Sequence, residues 1–422
     1  VPEDRNLSWN YRVLLGQGVS TNAAKELTSV KLVLPFLYTS VGAPVFFAGL
    51  LVPIATGAKI CVQTFAAPLV SAARSNKKFL SLAALATALA LVLVSITLDL
   101  VTVPWLVAIF LFVALVLGAS AGLGSLAFQN LIGRTLTHET RSRLLFTQSS
   151  LAGIFAMIVA FASQIVLNPG TSLVAHQELI WLGIGLFLIS ALVITAIREP
   201  LAQAPADSRQ QEGRRRHGLD ELGESFRIAL ALGWFRRFLI ARTLYLSIEL
   251  AMPFFSIHAA SYHGSSVIGL NAFVIASSIG LVVGGFFWQW IGGRGIHMIL
   301  VLAACMTCLG GLLAMAIELK LVSQGIFLYA IVFVLVSLGA QGIQNGRTLY
   351  LIGATTDHER PYCIAVGSVT IGLIAIVFGA LLGALGGFKG VVWPIFALMV
   401  LNILAALYTV RLHDFRPKNV SP

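Results

Sequence analysis

Residues 29–36 read Ser-Val-Lys-Leu-Val-Leu-Pro-Phe, and residues 247–254 read Ser-Ile-Glu-Leu-Ala-Met-Pro-Phe. Lys31 and Glu249 hold the same place in the two phrases, 218 residues apart (31 to 249). Each lies in the middle of an apolar stretch long enough to cross a membrane. A charge at bilayer depth costs about 3 kcal/mol on insertion scales, and a chain keeps one there when it faces a partner or a water-filled cavity. The pattern predicts a duplicated membrane protein with opposite charges at matched depths.

Composition agrees. The 422 residues are 58% hydrophobic and 11% charged, with mean hydropathy +0.90. A soluble domain carries roughly 25% charged residues, so this depletion points to a chain whose outer surface faces lipid. The net charge of +11 would suggest nucleic acid in a soluble protein. In a membrane protein it reflects positive charge held on the cytoplasmic side, and no nucleic-acid partner is expected. The four cysteines, Cys61, Cys305, Cys308 and Cys363, lie within apolar segments. Cys305 and Cys308 form a CxxC without nearby His or Cys ligands, so they read as small apolar side chains and no metal or other cofactor is expected. Val1 to Tyr11 is polar and reads as no cleavable leader.

A spanning helix needs about 20 mostly apolar residues. Twelve such stretches are predicted, in order at 18–42, 45–72, 79–98, 103–131, 144–167, 178–197, 236–261, 266–291, 296–317, 322–351, 362–386 and 389–411. With the termini placed in the cytoplasm, cytoplasmic loops, tails and span edges hold 21 of the 28 Lys and Arg residues. The opposite side holds Lys320 and Lys389, and Lys25, Lys31, Lys59, Arg242 and Arg347 lie within spans. That asymmetry predicts a multi-pass protein of the cytoplasmic (inner) membrane with both termini inside.

Two further echoes extend the duplication. Residues 131–139 read Leu-Ile-Gly-Arg-Thr-Leu-Thr-His-Glu, and residues 351–359 read Leu-Ile-Gly-Ala-Thr-Thr-Asp-His-Glu, 220 apart (138 to 358). Tyr11-Arg12-Val13 and Phe226-Arg227-Ile228 precede the first and seventh spans and read as short amphipathic helices on the cytoplasmic surface. The predicted fold is all-α, with twelve transmembrane helices in two parallel six-helix halves. The halves are residues 1–197 and 226–422, joined by a cytoplasmic linker at 198–225. Arg214, Arg215 and Arg216 lie in that hydrophilic stretch. It reads as a solvated linker, with a lipid-binding role as the other reading.

Parallel six-span halves resemble the major facilitator superfamily, and the resemblance covers nearly all of the chain through topology and duplication. That family often carries a Gly-x-x-x-Asp-Arg-x-Gly-Arg-Arg type of loop after its second span. Here Ser71-Ala-Ala-Arg-Ser-Asn-Lys-Lys78 keeps the basic charge without the Gly or Asp, and Trp290-Ile-Gly-Gly-Arg-Gly295 in the second half lacks the Asp. The Arg that many proton-driven drug exporters carry in the fourth span is also absent. The resemblance implies a central cavity lined by spans 1, 4, 7 and 10 and flanked by spans 2, 5, 8 and 11. It also implies halves that rock to expose the cavity alternately to each side. Gly280-x-x-x-Gly284 in span 8 and Gly379-x-x-x-Gly383 in span 11 fit close helix packing.

Seven charges lie inside spans: Lys25, Glu26, Lys31, Lys59, Arg242, Glu249 and Arg347. Facing lipid, they would together cost roughly 20 kcal/mol, more than the 5–15 kcal/mol, roughly, that stabilises a whole protein. Lys25, Glu26, Arg242 and Arg347 lie near the cytoplasmic ends, where long stems reach water; they read as interfacial anchors or gate pairs. Lys31, Lys59 and Glu249 lie deeper. Helical spacing aligns Tyr38 and Thr28 with Lys31, and groups Thr56, Lys59 and Gln63 on span 2. Arg242, Glu249 and Ser256 form a stripe on span 7 with Tyr245 close by, and Gln341, Gln344, Asn345 and Thr348 form one on span 10.

The expected substrate-binding residues are therefore Lys31, Tyr38, Lys59, Gln63, Gln341, Gln344 and Asn345. Lys31, Glu249, Arg242 and Arg347 are the expected gate or latch. Two roles compete for the central pair. Lys31 and Glu249 form a salt bridge across the halves, or Glu249 carries a proton while Lys31 anchors an anionic substrate. His258 and His263 are either pH-sensitive groups or polar boundary residues. His138-Glu139 and His358-Glu359 lack the HExxH spacing of a zinc protease. Pro35 and Pro253 are expected to bend spans 1 and 7 at matched heights.

The function class that follows is a secondary transporter of a small organic solute, leaning to an anion, proton-coupled and monomeric. The alternatives are an exporter of cationic or neutral drugs or metabolites on the same fold, and a non-transporting membrane receptor. No nucleotide-binding loop or catalytic cluster is visible in the sequence, so the chain does not read as an enzyme.

Overall fold

A computed structural model describes residues 2–73, 75–98, 100–136, 138–166, 172–199, 218–292, 294–355, 359–409 and 412. The described chain is helical, with no strand in it. Span 1 is built from two helices, Pro2–Leu27 and Val33–Ser40. Spans 2 to 6 are Val45–Ala72, Asn76–Thr97, Val103–Thr135, His138–Val166 and Ser172–Val193. A helix at Gly218–Ala231 precedes span 7, which is assembled from Gly233–Leu244, Leu246–Glu249 and Ala251–His263. Spans 8 to 12 are Gly269–Gly292, Ile296–Glu318, Ile326–Ala354, Arg360–Lys389 and Val392–Thr409. The protein is an all-α, multi-pass membrane protein of two parallel six-helix halves.

Ten of these rods are long and apolar enough to cross a membrane on length and composition alone. Spans 1 and 5 are not, for local reasons. Span 1 is split at residues 28–32, and the first turns of span 5 are polar, leaving the shorter apolar stretch Ser150–Ser163.

The break in span 1 and the second break in span 7, at Leu250, have one cause. Pro35 is four residues after Lys31, and Pro253 is four after Glu249. A proline has no N–H to give the carbonyl four residues back, and its ring collides with that carbonyl. The chain therefore leaves the helix just ahead of each proline. Lys31 sits in the turn between the two helices of span 1, and Glu249 ends the short middle helix of span 7. In span 1 the expected bend is a full interruption, whereas in span 7 it is a one-residue break at Leu250, whose backbone stays near helical (φ −91°, ψ −4°).

The surface helix expected at Tyr11–Val13 is instead part of the continuous helix Pro2–Leu27. It is held to the end of span 6 by Trp9 Nε1 donating to the Ala196 carbonyl (3.0 Å) and by Asn10 exchanging hydrogen bonds with the Arg198 backbone. The counterpart Gly218–Ala231 is a separate helix, because Leu232 turns to extended backbone ahead of Gly233. It packs on span 11.

The two halves meet along spans 2 and 11, along spans 5 and 8, and where Val33–Ser40 packs on Ala251–His263. Glycines set the first of these contacts. A Cβ at Gly383 would meet the Phe46 carbonyl oxygen at 2.8 Å and Gly49 Cα at 3.6 Å, so the helices approach backbone to backbone. Gly280 and Gly284 serve a different contact, against Ser337, Leu338 and Gln341 of span 10 in their own half.

Polar ties between the halves gather at the end of the molecule away from Pro2 and Thr409. Ser256 Oγ donates to the Leu32 carbonyl (2.5 Å), Asn271 Nδ2 donates to Ser163 Oγ (2.9 Å), and His176 Nε2 lies 3.2 Å from the Ser266 carbonyl oxygen. Phe36, fully buried, is wedged edge-on against His176 and Phe273. Toward the terminal end, spans 4 and 10 make no extensive packing with the opposite half among the described residues. Lys25, Lys31, Lys59, Gln344, Asn345 and Thr348 are all exposed there. The halves are closed at the far end and parted at the terminal end.

Candidate functional site

The opening between the halves is lined by charge from both. Lys31, exposed in its turn, lies within electrostatic reach of Glu26 in its own span and of Arg347 across the opening. Lys59, exposed on span 2, has Lys31 and Arg347 as charged neighbours. Neither lysine has an ion-pair partner among the described residues.

Glu249 is held by Arg347: a guanidinium N–H donates to Glu249 Oε1 within the second half. Lys31 and Glu249 therefore do not pair in this conformation. Span 10 reaches Glu249 from the same side of the half, whereas Lys31 belongs to the other side of the opening. The Arg347–Glu249 pair is about 30% exposed on each side chain, so it is neither a surface pair nor a core pair. Arg242 lies against Gly367 and shares a pocket with Arg347 and Glu249, walled by Phe238, Leu300 and Ile343. Its Nε is buried without a partner.

The remaining expected residues divide. Gln344 and Asn345 face the opening, exposed on span 10 beside Thr348, whose hydroxyl turns back to the Gln344 carbonyl. Gln63 is partly buried and donates to Ser125 Oγ of span 4 (2.6 Å), tying two spans of one half together. Gln341 is packed against Gly284 of span 8, its Oε1 buried without a partner. Tyr38 does not share a face with Lys31. The seven-residue alignment needs a continuous helix, and the break at 28–32 removes it. Tyr38 is fully buried at the far end, edge-on to Phe110 with ring centroids 5.2 Å apart.

Several residues were placed differently by sequence reasoning. Lys25 and Glu26, expected as interfacial anchors or gate pairs, neighbour the central charges: Glu26 neighbours Lys25 and Lys31, and Lys25 neighbours Lys59. Pro35 was the available signal, since the break it forces redirects the chain that carries them. Ser256, third in the span 7 stripe, is buried in the far-end seal, and Tyr245 turns away to Thr409 Oγ1 of span 12 (2.6 Å). His258 is not a lone boundary histidine. Its Nε2 lies 3.2 Å from Glu318 Oε2 and its Nδ1 3.1 Å from Tyr329 Oη, and Tyr262 Oη also donates to Glu318. The side chains of His138 and Glu139, and all of His358, lie outside the described residues, as do residues 200–217 of the linker.

The loop after span 2 is held in an unexpected way. Glu199, just past span 6, accepts hydrogen bonds from the Asn76 N–H (3.0 Å), the Lys77 N–H (2.6 Å) and Ser75 Oγ (3.3 Å). It caps the N-terminus of span 3 with a carboxylate supplied from 120 residues away along the chain, roughly, where backbone N–H groups favour negative charge. Lys77 Nζ returns the contact to the Thr195 and Ile197 carbonyls (3.3 and 3.2 Å). No cluster of three or more His, Cys, Asp or Glu side chains able to hold a metal occurs among the described residues.

No family model matches the chain. It is 28% identical over 417 residues to Uncharacterized protein Rv2209 of Mycobacterium tuberculosis, covering 97% of this chain and 78% of that protein. Uncharacterized protein Mb2232 of Mycobacterium bovis matches to the same extent. Among solved structures, the nucleoside transporter NupG aligns with a TM-score of 0.68 at 11% identity, over 96% of this chain and 100% of that one. The inward-open, partially occluded xylose transporter XylE from E. coli aligns with a TM-score of 0.66 at 13% identity, over 99% of both chains. XylE bound to 6-bromo-6-deoxy-D-glucose, a major facilitator superfamily proton:xylose symporter, aligns with a TM-score of 0.61 at 13% identity, over 98% of this chain and 97% of that one. Matched breaks in spans 1 and 7, two parallel six-helix halves and alignment over nearly the whole chain together give this protein the fold of the major facilitator superfamily transporters.

Proposed function

We propose that the protein is a secondary transporter that moves a small organic anion by alternating access, coupled to protons, in the cytoplasmic membrane with both termini inside. On this reading residues 1–197 and 226–422 are the rocking halves, and residues 198–225 are the cytoplasmic linker. The observation that carries it is the pair of broken spans. Lys31 and Glu249 sit at the interruptions, beside an opening parted at one end and sealed at the other. A static scaffold gains nothing from exposed lysines at that depth, whereas a solute-binding cavity needs them. The solved structures of the same fold, a nucleoside transporter and a xylose symporter, support transport. Lys31 and Lys59 support the anion.

Glu249 is the proton carrier on this reading and Arg347 its latch. When a proton neutralises Glu249, the pair with Arg347 is lost and the second half is released to move. When the proton leaves, the pair re-forms. Gln344 and Asn345 add neutral hydrogen bonds to the solute, and Arg242 stands beside the latch.

The test is reconstitution in vesicles carrying an internal pH dye. Addition of the transported solute should move protons in a fixed ratio to solute, and Glu249→Gln should abolish the proton movement. Solute flux that is indifferent to a pH gradient would remove the proton coupling and leave transport standing. Absence of counterflow for every organic solute tried, in protein shown to be folded, would remove transport itself.

A further inference from the structure

The opening is short of negative charge. Lys25, Lys31 and Lys59 line it from the first half, and Arg242 and Arg347 stand in the second. Against these five cations stand Glu26 and Glu249. Glu249 is spent on Arg347, and Glu26 lies among Lys25 and Lys31. Glu199 and Glu318 are engaged elsewhere. Lys31, Lys59 and Arg347 are charged neighbours of one another across the opening. Arg242 and Arg347 neighbour each other in one pocket with Glu249, and among the described residues Arg242 forms no ion pair and its Nε is buried without a partner. Cations crowded together repel, and a partly buried one without a partner, as at Arg242 Nε, costs free energy until an anion meets it. One monoanion would leave most of this excess in place.

We infer that the opening takes an organic dianion, one negative group between Lys31 and Lys59 of the first half and the other between Arg242 and Arg347 of the second. A solute gripped from both halves draws them together, which is what closure of the terminal end requires. Phe238, Leu300 and Ile343 beside the two arginines are buried core, so the solute's carbon skeleton lies in the opening itself, where the exposed Gln344 and Asn345 meet its hydroxyl or carbonyl groups. Binding at Arg347 competes with Glu249, so the dianion's arrival frees the carboxylate. The inference deepens the transport reading and rests on it.

The experiment uses the purified full chain in detergent and follows its melting temperature, because a ligand that binds the folded state raises apparent stability. The probes are succinate, glycerol phosphate, benzoate and a neutral sugar alcohol, each titrated at two salt concentrations. At least one dianion should half-saturate at a concentration about tenfold below benzoate, with the steeper loss at high salt expected of two ionic contacts. Arg242→Gln and Lys31→Gln should each reduce that dianion to the benzoate level. Arg242→Lys, which keeps the charge, should recover part of the difference and guards against a variant that simply misfolds. The two dianions separate carboxylate from phosphate chemistry.

Equal response to benzoate and both dianions, response to the neutral solute alone, no response to any anion, or variants that bind dianions unchanged would each overturn the inference. Counterflow in vesicles keeps the two readings apart. Counterflow of a neutral or monoanionic solute with dianions inert sinks the dianion and leaves transport standing. Dianion binding without counterflow of anything sinks transport and leaves the site standing.

Discussion

Arg347 holds Glu249 from within the same half, so the acid of the duplicated pair is latched by span 10 and Lys31 is left free at the opposite wall. Opposite charges at equivalent positions of a repeat suggest a bridge between the repeats. The structure gives each its own surroundings.

The latch has a measurable strength. Exposed ion pairs contribute about 0–1 kcal/mol, and breaking a buried one costs about 3–5 kcal/mol. With both side chains about 30% exposed, Glu249→Ala should destabilise the folded protein by about 2 kcal/mol. A double-mutant cycle with Arg347→Ala should show coupling of about 1 kcal/mol or more. Strict additivity of the two substitutions in denaturation would contradict the pair.

The far-end seal should loosen when Ser256 loses its hydroxyl. Ser256→Ala strands the Leu32 carbonyl, which costs about 1 kcal/mol or somewhat more, and shifts the population toward an opened far end. A cysteine introduced at position 32, in a background lacking the free cysteines Cys61, Cys305, Cys308 and Cys363, should react faster with a membrane-impermeant thiol reagent in the Ser256→Ala protein. Equal labelling rates would show that apolar packing around Phe36 carries the seal alone.

Spans 2 and 11 should tolerate nothing larger than glycine at their crossing. Gly383→Val places branched carbons where a single Cβ already meets the Phe46 carbonyl oxygen at 2.8 Å. Overpacking of this kind costs typically about 1–3 kcal/mol, here directed at the contact between the halves. The expected result is a lower melting temperature together with loss of transport. Gly285→Val, at a position where a Cβ meets nothing within 4 Å, is the control and should leave both near the parent.

The cap on span 3 should behave as a helix cap. Glu199→Ala removes the acceptor for the Asn76 and Lys77 N–H groups and should cost about 1 kcal/mol. Glu199→Gln should recover part of that, because the amide oxygen still accepts while the charge is lost. A melting temperature unchanged in both variants would leave the loop held by Lys77 and the chain around Thr195 instead.

Much of the architecture was legible in the residue order. Hydropathy is carried residue by residue, so the twelve spans and their membrane environment could be read directly, apart from span 1, whose helix begins at Pro2 rather than near residue 18. The duplication was legible for the same reason, since Ser29 to Phe36 and Ser247 to Phe254 carry Ser, Leu, Pro and Phe at the same places. Pro35 and Pro253 announced the interruptions, because a proline disrupts its own helix wherever that helix packs.

What each charged or polar side chain meets was decided only by the tertiary structure. The heptad that aligned Tyr38 with Lys31 fails at the break, and Tyr38 goes to Phe110. Arg347 takes Glu249, 98 residues away in sequence, and Glu318 takes His258 across 60. Lys25 and Glu26 join the central group because the chain turns at residues 28–32. Helical periodicity fixes which residues share a face, while the rotation and tilt of each rod against its neighbours fix what that face meets. Those follow from packing over the whole molecule, such as the glycine contact of Gly49 with Gly383, and no local stretch of sequence carries them.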